Sequence, residues 1–303
     1  MKYAIEIENL TKSYRGFKAV DDLSLHIPEG KVYGFLGMNG SGKTTTIRMI
    51  NGLIRPDKGR IAIFGRDAVK ERLQVARDIG AIVETPGFYE NLTARENLAI
   101  TAELFGTGKK RIAEVLEIVG LSDAGKKKAG EFSLGMKQRL GIANALVYSP
   151  QILILDEPTN GLDPAGIKDV RELLRKLAEG GGITVMVSSH ILSEVQQVAD
   201  VAGIINKGRL VREVDIHALT AEGQSCLALL VDKTEKALEV LKNMKLEYRV
   251  DSGTIKVFCS GSMNSAINRS LVSGGIGVYG LSPMQKNLED LFLSSVEEKG
   301  ATA

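Results

Sequence analysis

The run Gly37-Met38-Asn39-Gly40-Ser41-Gly42-Lys43-Thr44 constrains the fold of this chain more than any other stretch. Glycine at 37, 40 and 42 permits backbone that other residues resist, so successive N–H groups can turn toward one point. Val32, Tyr33, Gly34, Phe35 and Leu36 read as a short buried strand before it, and Thr45 to Ile50 read as a helix after it. Strand, glycine-rich turn and helix in that order make an anion cradle, because the helix N-terminus adds partial positive charge. Lys43 is then expected on the β- and γ-phosphates of a nucleotide, the Thr44 hydroxyl on Mg²⁺, and Thr45 beside them.

A second run, Gln151-Ile152-Leu153-Ile154-Leu155-Asp156-Glu157, sets two carboxylates at the end of an apolar strand. A central strand of an α/β sheet delivers such side chains to the crevice where ligands bind. Asp156 is expected to hold Mg²⁺ through its water shell, and Glu157 to orient and deprotonate an attacking water. Phosphate loop and carboxylate strand together read as a nucleotide hydrolase, without saying which kind. The formal net charge of +2, from 39 basic and 37 acidic residues, argues against a chain held to nucleic acid by bulk charge. Cys226 and Cys259 lie far apart with no metal-ligand spacing, as core cysteines of a reducing compartment would. No apolar run approaches the roughly 20 residues that span a bilayer, and the opening MKYAIEIENLTKSY alternates like a strand rather than a signal peptide.

Strands are expected at 4–8, 23–27, 32–36 and 60–64, and mostly helix over 95–150, where Ile112, Val115, Leu116 and Val119 fall at one-sided helical spacing. From 151 to 205 strand and helix alternate, with helices at 167–178 and 191–199, which implies a parallel sheet with helical crossovers. From about 220 the order strand, helix, strand, strand, helix, strand is that of a ferredoxin-like unit. A final helix is expected over 286–296. Two domains follow, 1–218 with a helical subdomain at about 88–148, and an α+β accessory domain at 219–303.

Two further runs decide the kind of hydrolase. Phe132-Ser133-Leu134-Gly135-Met136-Lys137-Gln138-Arg139 precedes the carboxylate strand, and Pro158-Thr159-Asn160-Gly161-Leu162-Asp163 follows it. The ordered set resembles the ATP-binding-cassette (ABC) family, whose signature loop is usually LSGGQ. The resemblance covers residues 3 to about 215 and implies an α/β P-loop NTPase fold, a mixed sheet plus a helical subdomain. It implies Tyr14 stacked on adenine, Glu84 at the position of a metal-contacting glutamine, His190 as the γ-phosphate switch, Ser133 and Gly135 acting on a partner's nucleotide, and Asp163 as a further nucleotide-binding residue. It further implies an ATPase that forms an ATP-sandwich homodimer, peripheral on the cytoplasmic face of the membrane, powering a separate integral-membrane permease.

Three features depart from the usual pattern: Glu84 where glutamine is commoner, and Leu134 and Met136 in the signature loop. With Ser188-Ser189-His190-Ile191-Leu192-Ser193-Glu194 they resemble the bacitracin- and lantibiotic-immunity exporters, which implies export of a peptide antibiotic or drug. Two other classes stay open on sequence: a cassette protein of translation or DNA repair without a permease, and a non-hydrolysing regulatory subunit. Glu157 speaks against the second, and the lack of a second cassette or coiled-coil insertion against the first.

Overall fold

Alternating apolar residues build the first two strands. β1 (Tyr3–Tyr14) buries Ile5, Ile7 and Leu10, and β2 (Phe17–Pro28) buries Leu23, Leu25 and Ile27, each on one face of a pleated ribbon. Both strands run 12 residues, well beyond the expected 4–8 and 23–27. Register shifts around Leu10 and Lys12 let the ladder continue through the charged residues that had suggested an early end. The computed structural model describes residues 2–221, 225–251, 253–259 and 261–285. The expected helix at 286–296 lies outside them.

By its internal contacts the chain divides into Met1–Val214 and Asp215–Ala303. In chain order the first unit continues with β3 (Val32–Leu36), α1 (Lys43–Ile50), β4 (Lys58–Ile63), β5 (Arg66–Asp67), α2 (Arg72–Asp78) and β6 (Ile79–Ile82). Then come α3 (Ala94–Phe105), α4 (Lys109–Ile118), α5 (Leu134–Leu146), β7 (Ile152–Asp156), α6 (Pro164–Gly181), β8 (Thr184–Ser189), α7 (Leu192–Gln196), β9 (Val201–Asn206) and β10 (Arg209–Asp215). One four-stranded sheet has the order β2-β1-β4-β5, its pairs antiparallel. A six-stranded sheet has the order β10-β9-β3-β8-β7-β6, parallel from β9 to β6.

Strands β3, β7 and β8 are buried along their whole length, as expected where helices cover both faces of a parallel sheet. Their carboxyl ends therefore lie side by side: Leu36 is in register with Ser189, and Asp156 with Ser188. That edge carries the chemistry described below. Between β6 and β7, α3, α4 and α5 pack around Leu98, Ile112, Val115, Leu116 and Leu140. Helix α3 starts on a reciprocal cap, Thr93 Oγ1 accepting from the Glu96 N–H and Glu96 Oε2 from the Thr93 N–H. The helix expected over 191–199 is only the five residues of α7. Asp200 ends it: its N–H donates to Val32 O and its carboxylate accepts from Val32 N–H, both at 2.8 Å, which turns the chain into β9.

The second unit holds α8 (Ile216–Ala221), β11 (Ser225–Val231), α9 (Thr234–Asn243), β12 (Glu247–Asp251), β13 (Thr254–Phe258), α10 (Asn264–Ser273) and β14 (Val278–Gln285). Its antiparallel sheet has the order β12-β13-β11-β14, with the first and third strands central. Leu227, Leu229, Ile255 and Val257 of the sheet form one core with Ala237 and Leu241 of α9 and Ile267 and Leu271 of α10. This is the ferredoxin-like arrangement. Among the described residues no helix is long and apolar enough to cross a membrane.

Candidate functional site

The turn between β3 and α1 closes on itself as its glycines dictate. Gly42 has φ 108°, and a Cβ there would lie 2.5 Å from Ala19 O; at Gly37 a Cβ would lie 2.4 Å from Ser41 Oγ. Asn39, Gly40, Gly42, Lys43, Thr44 and Thr45 line a cleft, and Met38 projects from the loop into solvent. The Lys43 side chain is only 6 % exposed, and its Nζ donates to Gly37 O at 2.7 Å. The Ser41 hydroxyl is buried inside the loop with no hydrogen-bond partner. A buried donor left over in a ring of backbone N–H groups fits an anion.

Across the cleft, β7 delivers its two carboxylates. Asp156 Oδ2 accepts from Thr44 Oγ1 at 2.8 Å and Asp156 Oδ1 from Ser188 Oγ at 2.5 Å. Glu157 has φ 49° and sits between two basic groups, with Lys43 Nζ 3.2 Å from Oε1 and His190 Nδ1 2.8 Å from Oε2. Thr44 and Asp156 thus offer a hydroxyl and a carboxylate oxygen one hydrogen bond apart, donors suited to a hard cation. Mg²⁺ characteristically takes few protein ligands and completes its shell with water and phosphate. Among the described residues no group of three or more His, Cys, Asp or Glu could hold a metal unaided.

Tyr14 and Phe17, facing each other where β1 turns into β2, form the far wall of the cleft, with Lys12 Nζ 5.7 Å from the Tyr14 ring centre. One cleft therefore gathers Tyr14, the phosphate loop, Glu157 and His190. A neighbouring cleft shares Thr44, Glu157 and Asn160 with the first, adds Asp156, and is bounded by Glu84, Thr85, Pro86 and Lys137. Glu84 is more than half exposed, with φ 67°, and pairs with Arg48 of α1. Ser133, Gly135 and Asp163 are not in either; they line a third depression, with Leu134, Met136 and Arg139. There Ser133 caps α5, its hydroxyl accepting from Met136 N–H at 3.3 Å, and Asp163 caps α6, accepting from Gly166 N–H at 3.0 Å.

Three neighbours of these groups were not singled out from sequence. Phe17 and Asn160 line the first cleft, and Ser188 joins Asp156 to the Glu157 backbone, accepting from its N–H at 3.0 Å. The one signal for Ser188 is its place two residues before His190, directly after the apolar run Val185, Met186 and Val187.

Residues 20–160 match the ABC transporter family. The chain is 47 % identical over 300 residues to the bacitracin transport ATP-binding protein BcrA of Bacillus licheniformis, covering 98 % of both chains. It is 44 % identical over 209 residues to the lantibiotic transport ATP-binding protein SrtF of Streptococcus pyogenes, covering 69 % of this chain and 90 % of that one. Among solved structures it resembles a dimeric bacterial ABC transporter cassette, with TM-score 0.64 and 29 % identity over 70 % of this chain and 98 % of the other.

Proposed function

Since the chain belongs to the ABC transporter family, among its ATP-binding proteins, we propose that it hydrolyses ATP in the cleft between Tyr14 and His190 to drive a separate membrane permease that exports a peptide antibiotic. The observation that carries the hydrolytic part is Glu157, held between Lys43 and His190 at the mouth of the phosphate loop. A carboxylate bonded at both of its oxygens is fixed in direction, as a group accepting a proton from water must be. Lys43 and the loop N–H groups bind the phosphates, and Tyr14 stacks on the base. Thr44 and Asp156 hold Mg²⁺, with Glu84 on the same side; the ion supplies charge neutralisation on the phosphates. His190, bonded to Glu157 through Nδ1, turns its other ring nitrogen toward the γ-phosphate.

Ser133 and Gly135 form a second anion site that one chain does not bring to its own nucleotide. A head-to-tail dimer brings it there, with Asp163 beside it, so ATP becomes part of the interface. The permease binds at the segment from Glu84 to Asn91 and holds the dimer on the cytoplasmic face of the membrane. The cargo follows from the relatives, named for bacitracin and lantibiotic transport. Expression together with a permease encoded beside it should raise resistance to such peptides, and Glu157→Gln should remove that resistance. An assembled, ATP-hydrolysing complex without resistance would overturn the cargo and leave the transporter ATPase standing.

A further inference from the structure

Ser188 is fully buried at the end of a strand whose other residues, apart from the two hydroxyls Thr184 and Ser189, are Val185, Met186 and Val187. Its single hydroxyl makes two bonds. It donates to Asp156 Oδ1 at 2.5 Å and accepts from the Glu157 N–H at 3.0 Å. A hydroxyl has one proton, so once it is given to Asp156 only a lone pair is left to face Glu157, and the direction of both bonds is fixed. Parallel pairing of β7 with β8 puts Ser188 opposite Asp156.

We propose that Ser188 is a positioning residue for hydrolysis: one hydroxyl sets the rotation of the Asp156 carboxylate and the backbone of Glu157. This rests on the roles proposed above for those two residues. With Oδ1 engaged by Ser188, the other oxygen, Oδ2, is the one turned to Thr44. The Glu157 backbone has φ 49°, a left-handed conformation that a non-glycine residue keeps only where its surroundings hold it. The bond from Ser188 to its N–H is such a restraint. Next to it, Thr159 Oγ1 donates to Glu194 Oε2 at 2.6 Å and ties the following turn to α7. Because Ser188 lies at the end of β8 and His190 directly follows that strand, one short piece of chain sets two of the groups bonded to Glu157, Lys43 of α1 being the third.

The cradle from Gly37 to Thr45 makes no bond to Ser188, so nucleotide binding and turnover separate in the test. In Ser188→Ala the kcat for ATP should fall at least about tenfold, the size of a lost buried hydrogen bond, while ATP affinity stays within about twofold. Mn²⁺ titrated against the protein with a non-hydrolysable ATP analogue, followed by electron paramagnetic resonance, should bind several-fold more weakly. Ser188→Thr, which keeps the hydroxyl, should recover both readings, and Ser188→Cys, close in shape with a poor donor, should not. Should the alanine variant fail to fold, the cysteine and threonine variants carry the same comparison. Wild-type kcat and Mn²⁺ affinity in the cysteine variant, or equal losses of kcat and ATP affinity, would overturn the positioning role. A wild-type protein that bound ATP and did not turn it over would instead overturn the hydrolytic reading.

Discussion

The two helix N-termini proposed above to receive an anion differ in what surrounds them. At α1 the loop is sealed by Gly37 and Gly42, a buried lysine reaches over it, and Asp156, Glu157 and His190 stand opposite. At α5 Ser133 caps the helix, flanked by Gly135, and the depression is lined by Leu134, Met136, Arg139 and Asp163. The first gathers the groups given cradle, metal and base roles above. Among the described residues the second has a hydroxyl and a helix terminus, and neither a lysine reaching over its loop nor a carboxylate held between a lysine and a histidine. A site with binding groups and no chemistry makes sense as half of one completed by a second copy, and the unequal roles give unequal mutational effects.

Removing the group unique to the first site should cost most. Glu157→Gln keeps the shape and the cradle, retains one acceptor oxygen between Lys43 and His190, and loses the carboxylate that takes the proton. Turnover should fall about 10² to 10³-fold with ATP affinity unchanged. ATP-bound dimer should then accumulate, visible by size-exclusion chromatography. Near-wild-type hydrolysis would mean that another group takes the proton from water.

At the second site Ser133→Arg should stop hydrolysis by the dimer and leave ATP binding by a single chain intact if, as proposed, the serine serves the partner's nucleotide. Lys43→Ala should impair its own site. Mixing the two variants forms dimers with one site lacking both groups and one lacking neither. With random pairing about a quarter of wild-type activity should return, half of the dimers having one good site each. A mixture as inactive as its components, with both folded, would make the two helix termini unrelated.

The first site is legible from sequence because its chemistry depends on local spacing. Glycines, Lys43 and Thr44 are consecutive, and Asp156 and Glu157 end an apolar run that can only be a buried strand. Ser188 was not legible: a serine before His190 reads as the polar end of a strand, and only the register of β7 with β8 puts it on the Asp156 carboxylate and the Glu157 backbone N–H. Asn97 was missed for a related reason. It looks like a stray polar residue in α3, yet its side chain is buried, accepts from Tyr89 N–H at 2.9 Å and donates to Tyr89 O and Thr93 O. The strands β1 and β2 ran longer, and α7 shorter, than periodicity suggested, since bulges and the Asp200 bonds are tertiary devices without a periodic signature. The second unit's strand order could be read because each apolar alternation is short and bounded by turn residues.

Asn97 bears on a third, milder test, at the segment between the two helix termini. It holds Tyr89 by the backbone, which leaves the Tyr89 ring in solvent and Phe88 half-buried. An aromatic on a fixed backbone is a suitable anchor for a partner's helix. Replacing Phe88 and Tyr89 together by Ser should leave basal ATPase activity within a few-fold and abolish co-purification with the permease. A variant that no longer folds would assign Phe88 to the core of its own chain.

The smallest effect is expected at Glu84, where the comparison between the two termini is sharpened. Arg48 lies one helical turn, roughly 5 Å, beyond Thr44 on the same face of α1, and Glu84, paired with Arg48, bounds the cleft that Thr44 and Asp156 line. A glutamine there needs no counter-ion. A carboxylate does, and Arg48 supplies one, while the left-handed backbone of Glu84 fixes the turn from which it reaches. The pair is exposed on both sides, so it adds little to stability, at most about 1 kcal/mol. Glu84→Gln should therefore keep the melting temperature, ATP affinity and basal hydrolysis, and change only the ratio of permease-stimulated to basal ATPase activity. Arg48→Met should shift the same ratio and have no further effect when combined with Glu84→Gln, because the carboxylate it serves is gone. Additive effects of the two substitutions would mean that Arg48 and Glu84 act separately, and an unchanged ratio in both would leave the ion pair as a surface contact with no part in coupling.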